Sequence, residues 1–258
     1  MAHAEEHEGS EPIPEETTLY VYGVVSSGGD LPEGLDGVAG SQPVLIVSGD
    51  VAAVVSPLVE EADFGTPEDL VAHTAVLDGI AEHTAVLPIR FGTVVPDRDA
   101  LQEEVLAESS ALLQQLDRVT GAVQYTLRVR YDRDTVIGEM LRTDPRLAEL
   151  REAISGTTEE QTRDQRIELG EKIVKSFDRL RDADAEEILD AVRPHTTDTA
   201  SHDIGQADDV VNVALLVAED ARADFERAVE GQGEKHHPRM RFRLLGPQAP
   251  YDFVGGEL

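Results

Sequence analysis

A chain of 258 residues with 52 acids, 22 bases and a net charge of −30 repels phosphate backbones and anionic lipid. Nucleic acid and membrane surfaces are therefore excluded as ready partners. The absence of cysteine removes disulfides, thiolate nucleophiles, iron–sulfur clusters and cysteine zinc sites.

The length fits one large or two ordinary domains, and 40% apolar residues are too many for a disordered acidic chain. Only three bases are lysines, Lys172, Lys175 and Lys235. Acid-rich, lysine-poor, aromatic-poor composition is that of halophilic proteins, because at 1 M salt the Debye length is about 3 Å and dense acid repels itself little. The longest apolar run, Val213–Ala218, has six residues, against the ~20 that span a bilayer. The acidic start, Met-Ala-His-Ala-Glu-Glu-His-Glu, is the reverse of a signal peptide, so a cytoplasmic protein is expected.

Residues 1–16 carry six glutamates and two prolines and read as a disordered acidic tail. Leu19–Val25 is a strand by its β-branched and aromatic content. Val44–Val47 and Val51–Val55 flank Ser48-Gly49-Asp50 as a hairpin. Thr66-Pro67-Glu68-Asp69 opens a helix with a capping hydroxyl, a first-position proline and acids over the positive end. Leu70, Val76, Leu77 and Ile80 are its expected buried face. Asp97 starts a second helix, with Leu101, Val105, Leu112 and Leu116 in helical phase.

The clearest pattern is Val123, Tyr125, Leu127, Val129 and Tyr131 alternating with Gln124, Thr126, Arg128 and Arg130, a half-buried strand. Short helical pieces follow to about Ile154. From about 158 to 192 the pattern is helical, with Ile167, Ile173, Phe177, Leu180, Ile188 and Val192 on one side. Such a helix would reach roughly 50 Å, so a bend is expected at Gly170 or Asp182–Asp184. Pro194–Gly205 reads as loop and Val210–Val217 as a central strand covered on both faces. Ala221–Val229 is a helix, Gly231-Gln-Gly233 a turn, and Arg239–Leu244 a second half-buried strand. The expectation is α+β with a domain boundary near 118–122, giving a first domain over residues 17–120 and a ferredoxin-like domain over 121–258.

No phosphate-binding glycine loop, dinucleotide fingerprint or His-Glu-x-x-His pair occurs, and His73, His83, His236 and His237 read as surface or packing histidines. No catalytic set, metal site or cofactor is expected. One cluster stands out. Arg128 and Arg130 share one face of the first strand of the second half, and Arg239, Arg241 and Arg243 one face of its last. In a ferredoxin-like sheet these strands are neighbours. The five arginines are then either covered by acids of the chain's own helices or open to an acidic partner. A small-molecule sensor or regulatory domain is the rival reading of such a sheet.

Four segments carry a resemblance: Leu19-Tyr-Val-Tyr-Gly-Val-Val25, Val86-Leu-Pro-Ile-Arg-Phe-Gly-Thr-Val-Val95, Asn212-Val-Ala-Leu-Leu-Val217 and Gly246-Pro-Gln-Ala-Pro-Tyr-Asp-Phe-Val254. In this order and spacing the chain resembles the gas vesicle protein L/F (GvpL/GvpF) family over about residues 17–254. Gln248 and Ala249 replace the family's usual tryptophan and a proline, and Gln124-Tyr125 its usual Glu-Trp. The resemblance implies a non-enzymatic accessory protein of the cytoplasmic gas vesicle, as an assembly partner or minor structural component. It also implies an N-terminal α/β domain and a modified ferredoxin-like C-terminal domain with a long helix. Its implied partners are the small hydrophobic shell protein and other accessory proteins. The motif residues Tyr20, Tyr22, Gly23, Pro88, Arg90, Phe91, Gly92, Thr93, Asn212, Gly246, Pro247 and Pro250 would be structural. Tyr251 and Phe253 need an apolar seat, either in packing between domains or on a partner.

Overall fold

The computed structural model describes residues 13–58 and 64–255. Most of the acidic tail, residues 1–12, lies outside them. Pro14–Thr17 forms a turn, with the Thr17 N–H on the Pro14 carbonyl at 3.2 Å. The chain divides into two compact units, residues up to Thr120 together with those from Ala249 on, and Gly121–Gln248. The tail after Gln248 thus joins the first unit instead of continuing the second, as the sequence-based range 121–258 had it. The Ala249 N–H donates to Asp78 Oδ1 at 2.8 Å, and Ala249 and Tyr251 pack in the first unit's core.

The first unit is built on an antiparallel sheet. Its strands are β1 (Leu19–Ser26), β2 (Val44–Ser48), β3 (Val51–Pro57), β4 (Val86–Pro88) and β5 (Val94–Val95). The order is β2-β3-β1-β4, with β5 also paired to β1. Strand β1 is apolar at both phases and buried on both faces up to Ser26. Helix α1 (Pro67–Ala81) starts with the expected capping box between Thr66 and Asp69. Its buried face is His73, Val76, Leu77 and Ile80, whereas Leu70 is 48% exposed. His73 takes the place expected for Leu70 because Tyr20 on β1 offers it a hydrogen bond and Tyr22 a ring to stack on. The second helix is also broken. A single turn α2 (Arg98–Ala100) runs into a π-turn at Leu101–Val105, and α3 covers Ser109–Val119. The Leu106 N–H reaches back five residues to the Leu101 carbonyl, which turns Leu106 into the core where Val105 was expected.

The second unit follows the ferredoxin-like winding. Strands β6 (Ala122–Tyr131), β7 (Asp198–Ser201), β8 (Asp209–Ala218) and β9 (Met240–Gln248) form an antiparallel sheet in the order β7-β8-β6-β9. Strand β7 falls where a loop was expected; it is a mostly exposed edge strand without apolar alternation. Helices α4 (Arg133–Thr143), α5 (Pro145–Ile154) and α6 (Arg163–Val192) fill the crossover between β6 and β7, and α7 (Arg222–His236) joins β8 to β9. Helix α6 has 30 residues, about 45 Å, and continues through both expected bend points. Its C-terminal part buries Phe177, Ile188 and Val192, while Ile167, expected in the same row, is 51% exposed. The earlier turns run along α5 instead of the sheet, with Arg146 on Glu168 at 3.1 Å. Helix α7 likewise runs through the expected turn at Gly231–Gly233, where Gly233 lies in ordinary contact with Phe242 and Gly231 faces open space. The core lies between these helices and Val123, Tyr125, Leu127, Val129 and Tyr131. Tyr125 and Tyr131 end on Glu226 and Asp184, each at 2.5 Å.

Candidate docking surface

Because side chains alternate along a strand, the residues between that apolar row point away from the helix-side core. Gln124 and Thr126 are buried, and Arg128 and Arg130 are exposed. Strand β9 pairs so that Arg243 lies opposite Arg128 and Arg241 opposite Arg130. The four arginines line one cavity of about 810 Å³, with Asp132, Asp203, Asp209 and Asn212 among its walls.

Two of the four are held by the chain's own carboxylates. Arg130 Nε lies 2.5 Å from Asp209 Oδ1, while Asp209 Oδ2 accepts the Gly205 and Gln206 N–H groups at 3.2 and 2.9 Å. Arg241 meets Asp132 Oδ2 at 2.6 Å. Asp132 Oδ1 caps α4 through the Thr135 N–H and hydroxyl. The Thr135 hydroxyl and then Arg241 hold the Asp132 carboxyl below the usual carboxylate range. Each acid therefore fixes a turn with one oxygen and an arginine with the other. These acids come from the turn after β6 and the start of β8, not from the helices expected to cover the arginines.

Arg128 and Arg243 have no carboxylate partner among the described residues. They face each other across adjacent strands, an arrangement that destabilises a sheet unless something neutralises it. Arg239 is not on this face. It precedes β9, whose ladder ends at Met240 opposite Tyr131. Its guanidinium reaches the helix side, 2.8 Å from Asp184, 3.2 Å from Glu139 and 5.2 Å from the centre of the Tyr131 ring. Asn212 sits opposite Arg128 on β8, with Nδ2 on the Asp203 carbonyl at 3.1 Å. The clamping roles of Asp132 and Asp209 were not expected; only the pattern Asp132-x-x-Thr135, a helix cap, hinted at the first.

In the first unit the motif residues meet in one place. Pro88 pairs with Gly23 and Val94 with Tyr20, so both ends of the Pro88–Val94 segment bind β1. Between them the Thr93 N–H and hydroxyl donate to the Arg90 carbonyl at 3.2 and 2.9 Å, closing a turn. The turn offers the Gly92 N–H to the Tyr20 hydroxyl at 3.0 Å. That hydroxyl also shares a hydrogen bond with His73 Nδ1 at 3.0 Å, and burial pushes its pKa to about 12. The His73 ring stacks on Tyr22 and meets Phe91 edge-on. A second chain runs from the Val38 N–H to the Tyr22 hydroxyl at 2.7 Å, on to Ser56 Oγ at 3.0 Å and the Ser41 carbonyl at 3.2 Å. At Gly23 a side chain would stand 2.7 Å from the Leu87 carbonyl. These are packing roles, and no metal-binding group of three or more histidines or acids occurs among the described residues.

The C-terminal motif divides between the units. Gly246 and Pro247 stand where the β6–β9 register shifts between Gln124 and Thr126, a bulge that tolerates a residue without an N–H. Pro250 is buried, and its carbonyl accepts the Phe253 N–H at 3.1 Å. The Tyr251 ring packs on the first unit's own core, and Phe253 is half-buried.

Residues 18–255 match the family model described as gas vesicle synthesis protein GvpL/GvpF. Gas vesicle protein F of Streptomyces sp. is 31% identical, covering 92% of this chain and 99% of its own length. Gas vesicle protein L of the same organism is 28% identical over 92% of both chains, and gas vesicle protein F of Haloferax mediterranei 26% over 92% of both. The crystal structure of GvpF from Anabaena sp. shares the fold with a TM-score of 0.77 at 22% identity, over 92% of this chain and 98% of that one. GvpF from Microcystis aeruginosa gives 0.74 at 20% identity over the same shares.

Proposed function

The chain belongs to the GvpL/GvpF family of gas vesicle synthesis proteins, and we propose that it is a non-enzymatic accessory protein that binds the small hydrophobic shell protein and other accessory proteins while vesicles assemble in the cytoplasm. A shell subunit with a gas-facing apolar surface would aggregate in water unless a protein held it transiently. No helix among the described residues is long and apolar enough to cross a membrane. The observation that carries a docking surface is the pair Arg128 and Arg243, exposed and without carboxylate partners among the described residues of a chain of net charge −30. An acidic segment of a partner would neutralise them. The acid-rich composition supports a halophilic setting, in which contacts must survive strong screening, and close arginine–carboxylate pairs do so better than distant charges.

The test is complementation in vesicle-forming cells that lack this chain. The wild-type gene should restore vesicles, seen as pressure-collapsible light scattering. A doubly substituted Arg128→Gln, Arg243→Gln chain should accumulate folded and restore few. Full restoration by the variant would remove these arginines from the proposed surface, and vesicles in the absence of the chain would remove the assembly role.

A further inference from the structure

We infer that β9 is a docking edge for an extended partner segment in which acidic and apolar residues alternate. Strand β9 is outermost in its sheet, and among the described residues no strand pairs with its outer side. An open edge is a template for an added strand, whose backbone supplies affinity and whose alternate side chains supply specificity.

The two faces of β9 differ in chemistry. On one, Arg241 is 79% exposed at its side chain, and Arg243 is exposed beside Arg128, which has no carboxylate partner among the described residues. On the other, Phe242 and Leu244 are half-buried over a groove of about 500 Å³ shared with Val229 and Gly233 of α7. Glu226, Glu230 and Glu234 of α7 line the same groove. A strand laid along β9 would send alternate side chains to the two faces. Acids would meet the arginines, and apolar residues would rest on Phe242, Leu244 and Val229. The opposite phase would drive acids against three glutamates, so the groove rejects it. The occupant is therefore a segment of a protein partner alternating Asp or Glu with Val, Ile or Leu. A small anion would use the arginines but not the groove or the edge.

The inference rests on the docking reading only for the partner's identity, and synthetic peptides test it without any vesicle protein. Fluorescence anisotropy would compare three labelled ten-residue peptides on the full chain. The first alternates glutamate with valine, the second has five glutamates followed by five valines, and the third alternates lysine with valine. The first should bind, slow amide hydrogen exchange across Arg241–Leu244, and lose about tenfold in affinity in an Arg243→Gln chain, as expected for a broken interfacial charge pair. The second and third should bind at least about tenfold more weakly. Equal binding of the first two peptides, binding without protection of the β9 amides, or no binding of the first would each overturn the inference. In the last case the arginines serve only to keep the edge from pairing with other copies. Failure here leaves complementation by the wild-type chain untouched, so the two readings fail separately.

Discussion

Replacing Gly246 with alanine should lower the unfolding free energy of the second unit by about 3–5 kcal/mol, combining a strained backbone with an overpacked contact. Gly246 sits at φ +128°, and a Cβ there would stand 2.7 Å from the Gln124 carbonyl and 2.9 Å from the Tyr125 ring. Both obstacles belong to the central strand β6, which cannot move without disturbing its ladder to β8. Denaturant unfolding followed by circular dichroism measures the loss. Gly138→Ala is the control. It lies inside α4 with open space around it and should raise stability by up to about 1 kcal/mol. A Gly246→Ala chain as stable as the wild type would show that the bulge is not the tight junction described.

A second large effect concerns pH. Burial pushes the His73 pKa down to about 4 from its ordinary 6.5, with the Ile89 carbonyl acting weakly the other way. The unfolded chain therefore takes up a proton between pH 6.5 and 4 that the folded chain refuses. Stability is full above pH 6.5 and falls as pH drops through that window, by roughly 3 kcal/mol from this residue. In a His73→Phe chain the aromatic cluster is kept and the proton site is gone, so this part of the pH slope should vanish. Equal slopes for the two chains between pH 6.5 and 4.5 would show that His73 titrates normally in the fold.

The central strand of the second sheet was legible because apolar and polar residues alternate along it, whereas β1, buried on both faces, was legible from its β-branched and aromatic content. Val123–Tyr131 showed which residues face the core, and from that the placement of Arg128 and Arg130 on the other face followed. Arginines on β6 and β9 meet because the ferredoxin-like order makes those strands neighbours. What stayed hidden depended on where local patterns stop. Arg239 shares the phase of Arg241 and Arg243 but lies before the ladder begins, so helix acids capture it. Strand β7 has no apolar alternation because it is an exposed edge. The π-turn that exchanges Val105 for Leu106 leaves the composition of its segment unchanged. His73 read as an ordinary packing histidine, and its aromatic seat is assembled from residues 53 positions before it and 18 after it, at Tyr20 and Phe91. The return of Ala249–Tyr251 to the first core could not be seen in a short segment with neither helical nor strand periodicity.

Binding of the shell protein through the second unit is the proposed role. The most direct measurement is capture of the small shell protein from lysed vesicle-forming cells by tagged wild-type chain, beside the Arg128→Gln, Arg243→Gln chain. Matched circular dichroism and melting curves confirm that both are folded, since exposed arginines contribute only about 0–1 kcal/mol to stability. The expected result is shell protein retained by the wild type and lost from the variant. Equal capture by both folded chains, or none by either, would contradict it.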